Sequence, residues 1–94
     1  MYPPSKLGVP TAFSPNGDNS NEVLYVEGSG FAEMDFKVFN RYGELVFHTN
    51  DKSIGWDGTY KGKPQAMDVY TYYIRVIYMD KGVAEESGNI TLLR

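Results

Sequence analysis

No stretch of this chain keeps a helical hydrophobic period over three turns. Ten glycines and five prolines cut it into short, β-prone runs spaced by roughly ten residues, the signature of an all-β sandwich. Val23–Val26 is one such run, bounded by polar and glycine-rich segments. Phe36–Arg41 alternates, with Phe36 and Val38 on one face, and Leu45–His48 returns from a tight turn at Tyr42–Glu44, so the two runs predict a hairpin. The longest strand is expected from Asp68–Val69 through Met79. It places Tyr72, Ile74, Val76 and Tyr78 on one face and Thr71, Tyr73, Arg75 and Ile77 on the other. A turn at Asp80–Gly82 leads into a last strand from about Glu86 to Leu93. The expected fold is an antiparallel β-sandwich of about seven strands.

Ninety-four residues make one domain with a small core. Residues 1–7 contain Pro3, Pro4 and Ser5 and read as a linker or the remnant of an excision; residues 8–94 form the domain. The chain has no cysteine, so no disulfide staples it and no thiol serves as nucleophile or ligand. A net charge of −3 and a sequence pI of about 5.0 lack the basic footprint of a nucleic-acid binder. No apolar run reaches the ~18 residues of a membrane-spanning helix. Met1–Pro4 does not read as a signal peptide, so the expectation is that the natural protein continues upstream and carries its export signal there.

Asn16, Asp18, Ser20 and Glu22 alternate along one loop, and each side chain carries oxygen. Such spacing can converge on a hard cation, so calcium is a possible ligand. The alternative is an Asx-turn loop shaped by Pro15 and Gly17. Trp56-Asp57-Gly58 reads as a structural motif, with Trp56 buried as a core anchor and Asp57-Gly58 forming a turn. His48, the only histidine, has neither a cysteine nor a nucleophile-elbow serine beside it in the sequence and reads as a surface residue. Nothing assembles a nucleophile, base and oxyanion hole, so no catalytic residue is assigned and the domain is not expected to be an enzyme. Phe39, Tyr73 and Ile77 lie opposite the core face. They are either ordinary apolar surface or, if adjacent in space, a partner site.

Four motifs in order resemble the gliding motility-associated C-terminal domain, the type B C-terminal sorting domain of type IX secretion in Bacteroidota. They are Pro10–Glu22, Phe39–Phe47 (FNRYGELVF), Gly55–Tyr60 (GWDGTY) and Gly88–Arg94 (GNITLLR). The resemblance runs from about Val9 to Arg94, and the first motif departs from the family at Asn19 and Glu22. It implies an Ig-like fold, passage through the periplasm to the cell surface or beyond, and a cargo protein upstream. The cargo would be a large surface adhesin or secreted enzyme. Implied partners are the type IX secretion components and a PorP-like outer-membrane protein. It also assigns the final segment to the signal. Docking is therefore expected at Gly88, Asn89, Thr91, Leu93 and Arg94, with Phe39, Tyr73 and Ile77 as the second candidate surface. A rival reading is a calcium- or carbohydrate-binding adhesin module in which Trp56 and the tyrosines stack on sugars.

Overall fold

The computed structural model describes residues 7–15 and 22–93. Those residues contain nine strands and no helix: β1 (Leu7–Gly8), β2 (Ala12–Phe13), β3 (Glu27–Gly28), β4 (Phe31–Phe39), β5 (Leu45–Thr49), β6 (Thr59–Tyr60), β7 (Lys63–Pro64), β8 (Asp68–Tyr78) and β9 (Val83–Leu92). A five-stranded sheet in the order β2-β9-β8-β4-β5 carries the long strands. Two small pairs, β1-β3 and β6-β7, stand apart from it. Pairing is antiparallel except at β2, which runs parallel to the end of β9 through Ala12–Thr91 and Phe13–Leu92.

The two predicted hairpins form. In the first, Asn40 fastens the turn: its Oδ1 accepts from the backbone N–H of Tyr42 and Glu44, and its Nδ2 donates to the Glu44 carboxylate, each at 2.9 Å. Gly43 supplies the positive φ that the turn requires. In the second, the Gly82 N–H donates to Asp80 at 2.9 Å. A third hairpin, absent from the sequence reading, joins β6 to β7 through Lys61 and Gly62. Both residues have positive φ, the two-residue geometry whose twist matches paired strands.

The predicted strand at Val23–Val26 is not one. Leu24 makes an isolated bridge to Trp56, with N–H···O distances of 2.8 and 2.9 Å in the two directions. The run is apolar because Leu24 and Val26 fill the core, not because it pairs along its length.

Alternation divides the sheet into two faces. The inner face carries Met34, Phe36 and Val38 of β4, Ile74 and Val76 of β8, and Ile90 and Leu92 of β9, all buried. Leu24, Val26 and Trp56 close over it within the same cluster. Trp56, 1% exposed, is the hub. Its ring meets Tyr70 edge-on at 5.1 Å, Phe13 at a tilt at 5.3 Å and Phe47 in a stacked arrangement at 6.4 Å, geometries that aromatic pairs favour. Its indole N–H donates to the Thr59 carbonyl at 2.9 Å, so burial leaves no donor unpaired.

Candidate functional site

The outer face of the five-stranded sheet has no second layer built against it among the described strands, and it falls into two parts. Its middle is a ladder of charge. Asp35 stands opposite Arg75, and Arg75 opposite Glu85. Arg75 reaches Glu85 at 3.3 Å, Lys37 reaches Asp35 at 3.6 Å, and His48 pairs with Asp35. These groups are exposed enough that solvent screens them, and each pair contributes little to stability. Tyr73 lies among them, half-buried. Desolvation, followed by its hydrogen bond to Glu85, pushes its hydroxyl above the ordinary tyrosine value.

The two ends of this face differ. Ile77 sits opposite Glu33 and Val83, beyond Arg75 and far from Phe39. Sharing one face does not make Phe39, Tyr73 and Ile77 a single apolar patch, because the charged rows separate Ile77 from the others. At the opposite end, one row across the sheet reads Leu45, Phe39, Thr71, Asn89. The next outward-facing row is Val69 opposite Thr91, and Leu93 follows. Alternation places all of these on the outer face. Leu45, Val69 and Leu93 are 41%, 46% and 42% exposed. Phe39, Asn89, Thr91 and Leu93 are thus brought together in one corner. Leu45 and Val69 belong with them but were missed, since cross-strand register is not written in local sequence.

The Asn40–Glu44 turn projects from this corner. Tyr42, at 80%, is the most exposed of the exposed large hydrophobic side chains. The Arg41 guanidinium stacks over its ring at 5.1 Å and is tethered to Asp68 by a single long contact of 3.5 Å. Tyr42 and then Asp68 hold Arg41 above its already high pKa, so its charge is permanent.

The other predicted residues take different places. Gly88 is on the inner face, where Tyr72 lies across it; a Cβ there would come within 2.9 Å of the Tyr72 ring. Its role is to seat an aromatic ring. Asp57 accepts from the Thr59 N–H and hydroxyl at 3.0 and 2.6 Å, which makes it a turn residue. Gly58 is buried with φ of 84°, and a Cβ would meet Pro15 at 2.9 Å. Because Trp56 is sealed in the core, its ring cannot stack on a sugar from solvent. Glu22 is half-buried, whereas Asn16, Asp18, Ser20 and Arg94 lie outside the described residues. Among the described residues, no three His, Cys, Asp or Glu side chains form a group that could hold a metal ion, and no helix is long and apolar enough to cross a membrane.

The last strand is less open than the sequence suggests. Its end is paired on both sides: the Thr91 N–H donates to the Thr11 carbonyl at 2.8 Å and the Leu93 N–H to the Phe13 carbonyl at 2.9 Å. A receptor cannot add a strand there without displacing β2.

Comparison with known proteins agrees with this architecture. The fold is similar to the crystal structure of CopC from Methylosinus trichosporium OB3b, with a TM-score of 0.60 and 16% identity over 96% of this chain and 94% of that one. At that identity the likeness speaks for the fold alone. No curated protein matches the chain. The CHU_C type IX secretion signal domain matches residues 7–92, from the start of β1 to the end of β9. The chain belongs to the type IX secretion signal domain family.

Proposed function

We propose that this domain sorts an upstream cargo by presenting a folded surface to the secretion machinery, and that it acts by binding and not by catalysis. The observation that carries the reading is the extent of the family match. It spans residues 7–92 and therefore includes β1 and β2 as well as the final strand. A signal that needed only a tail would not require Phe13 in the core or β2 against β9. In this reading the cargo and domain cross the periplasm, the domain docks on type IX components together with a PorP-like outer-membrane protein, and the cargo reaches the surface or medium. Residues 8–94 act as one unit.

Fusion of residues 1–94 to a periplasmic reporter in a type IX-competent host tests this. The expected result is surface or extracellular reporter, lost in a secretion mutant of that host. A Trp56→Ala fusion, with the tail intact and the core broken, should stay in the periplasm. Export of that variant at the parent level, where circular dichroism shows it unfolded, would place the signal in the linear tail and overturn the folded-surface reading.

A further inference from the structure

We infer that the outer edge of β9 between Val83 and Asn89 is a strand-docking site, and that it takes an extended segment of a partner protein carrying a lysine or arginine beside Glu86. The inference rests on the sorting role proposed above.

Backbone geometry sets the kind of partner. β9 pairs with β8 along its whole length without a break in register. On its other side β2 pairs only with Thr91 and Leu92. The chain before Thr11 leaves this sheet, since Leu7 and Gly8 pair with β3, and Pro10 has no N–H to offer. The Thr91 and Leu93 N–H groups donate away from β8, to Thr11 and Phe13. In an antiparallel pair, alternate residues turn both N–H and C=O to the same side. Glu85, Ser87 and Asn89 therefore present their N–H and C=O groups along the edge, where no described strand meets them. All three residues are exposed. Val83–Asn89 spans roughly 20 Å at about 3.4 Å per residue. Donors and acceptors at this repeat are matched by another extended backbone, which is how a sheet edge takes up a peptide as an added strand.

Side chains narrow the choice. Edges are commonly guarded by lysine, proline or a bulge, and Val83–Asn89 has none of these. Ser87 and Gly88 are small and leave the approach of a second backbone clear. The charges on this stretch are Glu85 and Glu86. Arg75 holds Glu85 at 3.3 Å. Glu86 shares its side of the sheet with Gly88 and Ile90, yet it is exposed and enters no ion pair among the described residues. Its cross-strand neighbour is Ile74. A carboxylate in this position turns away an apolar or acidic strand and admits one that brings a cation, so repulsion and attraction both contribute to specificity. A second copy fits badly. It would bring Glu85 and Glu86 of both chains to one seam, with each chain at net −3.

The test uses the reporter fusion, with each variant domain checked by its melting temperature. Ser87→Pro removes one outward N–H and sets a ring in the path of an added strand. The ladder to β8 keeps its donors, so the fold should tolerate the change. Ser87→Ala removes only the hydroxyl and keeps the N–H. Export of Ser87→Pro should fall by at least about tenfold, equivalent to ~1.4 kcal/mol of binding, while Ser87→Ala stays near the parent. Where Ser87→Pro lowers the melting temperature, Ser87→Lys takes its place, since it keeps the backbone and guards the edge. Glu86→Lys should also lower export. A parent fusion that is not exported overturns the sorting role itself, and the inference with it. A folded Ser87→Pro or Ser87→Lys variant exported as well as the parent, or a Ser87→Ala variant that loses export equally, overturns the inference alone. Parent-level export of Glu86→Lys removes the basic residue from the partner. A parent domain that sediments as a dimer, and as a monomer once Ser87→Pro is made, assigns the edge to a second copy and overturns the partner strand.

Discussion

Trp56 and the glycines around it show how single residues hold this domain. Trp56 contacts aromatic rings from β2, β5 and β8, so truncating it opens a cavity between the sheet and the covering segments. Trp56→Ala should cost about 3–5 kcal/mol, a large share of a small domain's total, measured by chemical denaturation. A loss under ~1 kcal/mol would contradict its place as the hub. The glycines should differ from one another. A Cβ on Gly55 would come within 2.7 Å of the Leu24 carbonyl, a backbone atom held by the Leu24–Trp56 bridge. A Cβ on Gly88 would meet the far end of the Tyr72 side chain, which can swing away. Gly55→Ala should therefore cost about 3 kcal/mol and Gly88→Ala about 1 kcal/mol. In a Tyr72→Ala background the Gly88→Ala cost should vanish. Equal costs at the two sites would mean that backbone rigidity does not decide the outcome.

Strand β9 is where local sequence and long-range structure part. Its existence, its turn from β8 and the inward direction of Ile90 and Leu92 were legible, because alternation and the Asp80–Gly82 turn are local signals. So were the hairpin around Asn40–Glu44 and the two faces of β8. The cover for the end of β9 was not. β2 is two residues long, carries no periodicity, and pairs with residues nearly eighty positions away. The corner made by Leu45, Phe39, Val69 and Leu93 was only half visible for the same reason: register brings together β5, β4, β8 and the end of β9. Pairing also predicts how the strand exchanges its amides. The Thr91 and Leu93 N–H groups point away from β8, into β2. Odd-numbered residues of β9 share that direction, so Glu85, Ser87 and Asn89 turn theirs to an edge where β2 does not reach. Amide hydrogen exchange should find Thr91 and Leu93 protected, and Glu85, Ser87 and Asn89 fast. Fast exchange at Thr91 would show that β2 does not hold the end of the strand.

Among the described residues no charged side chain is buried, and two tyrosines that resist ionisation lie on β8, the strand paired on both sides by β4 and β9. Tyr72 is pushed above the ordinary tyrosine value of 10.0, first by burial and then by the nearby Glu86 carboxylate. Tyr73, on the opposite face, is raised by desolvation and by Glu85. Both faces of the central strand thus favour the neutral hydroxyl. The sign follows directly. In the unfolded chain a tyrosine releases its proton near pH 10, but the folded chain holds it more tightly. Stability from these groups is complete below that pH and is lost as the pH rises through the folded values. The melting temperature should hold flat from about pH 8 to pH 9 and fall above pH 10. Lysines titrate in the same range, so substitution must separate the contributions. Tyr72→Phe removes a hydroxyl whose ionised form the fold disfavours and should flatten the alkaline fall. Tyr72→Phe with Tyr73→Phe should flatten it further. An alkaline slope unchanged in the double variant would assign the fall to the lysines and leave the central strand indifferent to the charge on its tyrosines.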